Sequence, residues 1–162
     1  MRQLILLRHA KATPGSDTGE DFDRPRAQRG RDDAPVVGRA LAEAGAAPQI
    51  VLVSAARRTR ETWELVAPSF QMATVQFIEK LYLAPGDVIL REAEEAGVAN
   101  VMVIAHNPGL HELASRLAHR MNAIESRLRA KFPTAAAAFF TRKDDEASWK
   151  LRDYITPKDA TD

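Results

Sequence analysis

The sequence predicts an α/β fold: a three-layer α/β/α sandwich on a mostly parallel sheet with an antiparallel edge strand. Three observations carry this. Two short apolar runs, Leu4-Ile5-Leu6-Leu7 and Val101-Met102-Val103-Ile104-Ala105, are continuous rather than alternating, the pattern of strands covered on both faces. Strand-like and helix-like segments alternate along most of the chain, as βαβ units require. The tail breaks that alternation with two strand-like segments, Ala135 to Phe140 and Ser148 to Ile155, joined by the charged turn Lys143-Asp144-Asp145-Glu146.

After the first strand, residues 11 to 27 are polar and rich in Asp, Gly and Pro, and read as a loop. From about Arg29 to Ala46 the residues Val36, Val37, Ala40, Leu41 and Ala44 line one helical face, with Gly45 and Pro48 as stop signals. Ile50-Val51-Leu52-Val53 is a second buried strand, and Ser54 is placed to cap or turn into the next helix. That helix carries Thr62, Trp63, Leu65 and Val66 as far as Pro68, and Thr74 to Ile78 forms a third strand. Pro85 and Asp87 open a helix through Ile89, Leu90 and Ala93 that stops at Gly97. The strand ending at Ala105 follows, then a helix from about Leu110 to Ala118.

At 162 residues the chain is expected to form one domain, 1–162, with 45% hydrophobic and 28% charged residues in the ordinary globular range. A formal net charge of +1 gives no global pull toward nucleic acid or an anionic membrane, and no basic-aromatic patch supports nucleic-acid binding. The absence of cysteine excludes disulfides, thiol catalysis and thiolate metal sites, and fits a reducing compartment. The N-terminal apolar run holds four residues before Arg8, too short for a signal-peptide core or a membrane span. A cytoplasmic location is the expectation.

Both long apolar runs deliver a histidine at the strand's carboxyl end, where open α/β sheets bind ligands. At the first, Arg8 adjoins His9: a guanidinium fork matches two phosphate oxygens, and an imidazole can act as a nucleophile when neutral. Nearby fixed cations favour the neutral form. At the second, His106 enters the turn Asn107-Pro108-Gly109, where it can donate to a phosphoryl oxygen or simply cap the following helix. Helical spacing cannot aim Arg57, Arg58 and Arg60 at one site, but one of them, at the helix start, can face the sheet's carboxyl edge. The loop Asp21-Phe22-Asp23-Arg24-Pro25 either forms a salt-bridged surface or brings Arg24 toward the substrate. His106, His111 and Glu112 lack the His-Glu-x-x-His spacing and a third strong ligand, so no metal site is expected. Trp63 and Trp149 read as packing residues.

Together, the strand-Arg-His-Ala start, the DFDRP…RG loop, the S-x-x-x-R-x-x-x-T helix entry and the strand-HNPG turn resemble the histidine phosphatase superfamily. The resemblance is nearest to its small SixA-type phosphohistidine phosphatases. It extends over nearly the whole chain, including Phe132-Pro133-Thr134-Ala135 and the ending Tyr154-Ile155-Thr156-Pro157-Lys158-Asp159. It implies the phosphoglycerate-mutase-like version of the fold. It further implies that His9 is the nucleophile and that Arg8, Arg58 and His106 hold the phosphoryl oxygens. Ser54, Arg24 and Asn107, from the segments that flank these residues, are taken as substrate-binding candidates. Arg58 matches the motif because it lies four residues after Ser54 and four before Thr62. Ala10 stands where most branches carry glycine. No cofactor or metal is implied, since the arginines and His106 supply the charge that Mg²⁺ supplies elsewhere.

The superfamily's phosphoester hydrolases and mutases carry a carboxylate after the third strand that protonates the leaving oxygen. Here Leu83 occupies the region where that acid is expected, and Glu79 and Asp87 read more simply as surface charges or helix caps. An alkoxide leaving group needs general-acid help worth roughly 10²–10⁴-fold. An imidazole leaves more readily, so the expected substrate is phosphohistidine on a signalling protein. The alternatives are a phosphatase of small phosphate monoesters and a phosphohistidine-binding module with little turnover.

Overall fold

The computed structural model describes residues 1–161. A single six-stranded sheet runs in the order β3-β2-β4-β1-β5-β6, with β1 Gln3–Arg8, β2 Ile50–Ser54, β3 Thr74–Ile78, β4 Asn100–Ala105, β5 Ala137–Thr141 and β6 Lys150–Ile155. β3, β2, β4 and β1 are parallel, and the β5–β6 pair supplies the antiparallel edge. The continuous apolar runs form the strands buried on both faces. Leu4 and Leu6 of β1 point into one core with Leu52, Val101 and Val103, while Ile5 and Leu7 point into the other with Val51, Val53, Met102 and Ile104. Each of these fully buried side chains contributes roughly 1.5–3 kcal/mol by leaving water.

Helices cover both faces. α1 Gln28–Glu43, α2 Arg57–Val66 and α6 Pro157–Thr161 lie on the Ile5 side; α3 Gly86–Glu95, α4 Gly109–Leu117 and α5 Ala123–Ala130 lie on the Leu4 side. Trp63 and Trp149 are both buried in these cores, as packing residues should be. α1 ends at Gly45, whose φ of +100° is open to glycine at little cost. Neighbouring β1 and β4 send their following helices, α1 and α4, to opposite faces. Ligand sites form at such switch points, and His9 and His106 stand just beyond the carboxyl ends of these two strands.

The structure differs from the sequence reading at Ser54 and in two added helices, α5 and the short α6 after the last strand. The N-cap of α2 is Ala56, with no side-chain cap, and Ser54 is the last residue of β2. α5, capped by Asn122 accepting the Glu125 N–H at 2.9 Å, was not anticipated, because its only fully buried apolar residue is Leu128. Among the described residues, no helix is long and apolar enough to cross a membrane.

Candidate active site

His9 sits one residue beyond β1 and is 7% exposed. Its Nδ1 lies 2.9 Å from the Ala10 carbonyl, which can only accept, so Nδ1 carries the proton and Nε2 keeps its lone pair. The His106 ring, one residue beyond β4, has its centroid 5.4 Å away. His106 Nε2 is 2.7 Å from the Ser54 hydroxyl, and its buried Nδ1 has no protein partner. Ser54 is itself fully buried, so any contribution from it to substrate binding runs through His106.

Of the three clustered arginines only Arg58 turns inward. It is buried, whereas Arg57 pairs with Glu61 at 3.5 Å and Arg60 is exposed. The S-x-x-x-R-x-x-x-T spacing now has a structural reason. Ser54 supports His106, Arg58 enters the pocket, and Thr62 Oγ1 accepts the Ala10 N–H at 2.9 Å while donating to the Arg58 carbonyl at 2.7 Å. One helix entry thereby ties together the ends of β1, β2 and β4.

The far side of Arg58 is closed by a residue the sequence did not single out. The 3₁₀ turn Asp21–Asp23 presents the Asp21 carbonyl to Arg58 Nη1 at 2.8 Å and its carboxylate to Nη2 at 3.1 Å. The same carboxylate accepts the Tyr82 hydroxyl and lies 3.0 Å from Arg24 Nε. Tyr82 meets the His106 ring edge-on, at 5.5 Å, and Phe22 at 5.0 Å. The DFDRP loop forms ion pairs, and its Arg24, held by Asp21 and by the Thr13 carbonyl, lies near enough for its charge to act on His9.

Arg8 Nη1 and Asn107 Nδ2 both donate to the Phe132 carbonyl, at 3.1 and 2.9 Å. Buried Arg8 Nε, Arg58 Nε and Asn107 Oδ1 have no protein partner. Unpaired donors and a surplus of guanidinium groups over carboxylates suit a tetrahedral oxyanion. Glu79 and Asp87 are both exposed, and neither joins this cluster. His111 donates to or accepts from no pocket residue; its Nε2 is tied to the Leu128 carbonyl at 2.7 Å. Among the described residues, no group of three or more His, Cys, Asp or Glu is arranged to hold a metal ion.

Electrostatics follow from this packing. Burial above all pushes His9 down to about 4; the Ala10 hydrogen bond opposes this, and Arg58, Arg8 and Arg24 reinforce it. Burial likewise pushes His106 down to about 3, helped by His9 and Arg58. The Tyr82 hydrogen bond, with Arg58 and Arg24, holds the Asp21 carboxyl below its usual range against a smaller effect of burial. At neutral pH the site thus presents two neutral imidazoles, three guanidinium groups and one carboxylate.

No model of a described protein family matches the chain. An uncharacterised chloroplastic protein of Arabidopsis thaliana is 32% identical, the alignment covering 96% of this chain and 78% of the relative. An uncharacterised protein of Mycobacterium tuberculosis is 34% identical over 82% of this chain and 84% of its own length. Among solved structures, an Agrobacterium tumefaciens protein named as a candidate phosphohistidine phosphatase SixA superposes with a TM-score of 0.82 at 27% identity, covering 96% of this chain and 98% of that one. Sequence and structural similarity therefore run nearly end to end, through both histidine-bearing strand ends and the helix entry between them: the chain belongs to the histidine phosphatase superfamily, with SixA proteins as its structural neighbours.

Proposed function

We propose that the chain is a metal-independent phosphatase that passes the phosphoryl group through His9, and that its substrate is phosphohistidine on a protein. The observation that carries this reading is the pinned tautomer of His9, with Nδ1–H on the Ala10 carbonyl and Nε2 free beside Arg58 and His106. His9 Nε2 attacks phosphorus, and the bond from phosphorus to the substrate imidazole breaks, its electron pair leaving on the imidazole nitrogen, which takes up a proton. Water then attacks the phosphorylated His9, releasing inorganic phosphate and restoring the ring. Arg8, Arg58 and Arg24 balance the charge on the equatorial oxygens. Neutral His106, accepting from Ser54 at Nε2, has Nδ1–H left to donate to a phosphoryl oxygen.

Substrate choice rests on the leaving group. The pocket's one carboxylate, Asp21, is held ionised by Tyr82 and two arginines and is a poor acid for an alkoxide. An imidazole departs without such strong help.

The test offers phosphorylated histidine carriers and alkyl and sugar phosphates side by side, with His9→Ala as control. Faster turnover of the histidine carriers, an acid-labile phosphoenzyme and no turnover by His9→Ala are expected. A sugar phosphate turned over much faster would overturn the substrate assignment. A stoichiometric phosphoenzyme that never turns over would mark a binding module instead.

A further inference from the structure

A second concavity opens at the same carboxyl edge of the sheet, beside the phosphoryl pocket. It is a cleft of about 460 Å³ between the start of α1, the end of α5 and the segment after β6. Four cations line it: Arg29, Arg127, Lys131 and Lys158. Arg29 and Arg127 are partly answered by Asp33 and Asp159, at 3.4 and 2.9 Å. Among the described residues, Lys131 and Lys158 have no carboxylate within ion-pair distance, and both are exposed. In a chain with a net charge of only +1 this is a local concentration of positive charge.

The cleft and the phosphoryl pocket share a wall. Lys131 and Pro133 line the cleft and are the chain neighbours of Phe132, whose carbonyl accepts from Arg8 and Asn107. Three residues after Phe132, the Ala135 N–H donates to the His9 carbonyl at 3.0 Å. Whatever occupies the cleft thus sits against the segment that holds Arg8, Asn107 and the His9 carbonyl.

We propose that this cleft docks an acidic segment of the phosphorylated protein, so that the enzyme selects phosphohistidines flanked by Asp or Glu. The inference rests on the reading of the chain as a phosphohistidine phosphatase. Charge complementarity favours an acidic protein segment. A nucleic acid fits less well, because Tyr154, the aromatic side chain of the cleft, is buried with its hydroxyl tied to the Lys131 carbonyl and offers no stacking face.

The test uses the full chain and the double variant Lys131→Glu/Lys158→Glu, with unfolding followed by circular dichroism and a neutralising Lys131→Gln/Lys158→Gln variant in parallel. Short fluorescent peptides with glutamates or glutamines around a histidine serve as probes, read by polarisation at low salt. The wild type is expected to bind the acidic peptide about tenfold more tightly than the neutral one, a preference lost on charge reversal and weakened on neutralisation. The same peptides, phosphorylated on histidine, should show the same ratio in kcat/KM, while hydrolysis of phosphoramidate stays unchanged in the variants. Equal affinity for the two peptides, or a preference surviving in the double variant, overturns the proposal. So does tighter binding of a single-stranded oligonucleotide of equal charge. If the peptides bind as expected but no phosphohistidine peptide is hydrolysed by the wild type, the phosphatase reading fails and substrate docking falls with it; flat binding with normal turnover overturns docking alone.

Discussion

Acidification separates His9 from an ordinary histidine. A histidine titrating near its usual value is about one-tenth neutral at pH 5.5. His9, pushed down to about 4 by burial and by Arg58, Arg8 and Arg24, stays more than nine-tenths neutral there, and Nε2 keeps its lone pair. Because kcat/KM reports groups of the free enzyme, its acid limb should fall near pH 4, and the loss from pH 7 to 5.5 should be much less than tenfold. Stability moves with the same proton. The folded value lies below the unfolded one, so the unfolded chain takes up protons first, and stability is full above about pH 6.5 and lost between there and about 4. For His9 alone that loss is about 3 kcal/mol, or a fall of roughly 6–12 °C in Tm. The direct assay is an NMR titration of the His9 ring, assigned with His9→Ala, beside kcat/KM on a phosphohistidine carrier corrected for spontaneous hydrolysis. Arg58→Gln should raise the midpoint. A wild-type midpoint near 6.5 would refute the reasoning, because it would mean that the pocket is wet or that the cations face elsewhere.

Arg58→Lys keeps the charge but loses the planar fork, and kcat/KM should drop by about 10²–10³ with the fold retained in circular dichroism. Asp21→Asn removes the one carboxylate at Arg58; inorganic phosphate should inhibit several-fold more tightly while kcat falls about tenfold, and no change in either would contradict the role of that contact. Gly109→Ala should lower stability by about 2–4 kcal/mol in denaturant unfolding, since the added Cβ would lie 1.8 Å from the Ala84 carbonyl oxygen, where backbone meets backbone.

The parts of the molecule legible in the sequence are those with a local signature. β1, β2 and β4 were readable because burial on both faces leaves an unbroken apolar run, and the two histidines follow directly from where those runs stop. Helical periodicity showed only that the three arginines cannot share one direction; the choice of Arg58 came from the S-x-x-x-R-x-x-x-T resemblance, and in the structure Arg58 is buried while Arg57 pairs with Glu61. Asp21 was hidden. Its contact with Arg58 spans 37 residues and comes from a loop with no period, although the DFDRP motif placed it under notice. Tyr82 was hidden for the same reason, since its contact with Asp21 spans 61 residues. The Phe132 carbonyl left no trace, because every residue has one. Of the two local readings of Ser54, helix cap or turn residue, the cap falls to Ala56, and its support of His106 left no mark because a buried serine after a strand looks the same in sequence whether it serves a helix or a histidine.

The recurrence of Ser54, Arg58 and Thr62 at every fourth position has a thermodynamic consequence. Ser54, at the end of β2, holds the His106 ring beyond β4, Thr62 holds the backbone next to His9 beyond β1, and Arg58 stands four residues from each, so nucleophile, clamp and donor share one short stretch of chain as their frame. An incoming oxyanion finds its receptor already assembled, and the entropy lost on association is mostly its own.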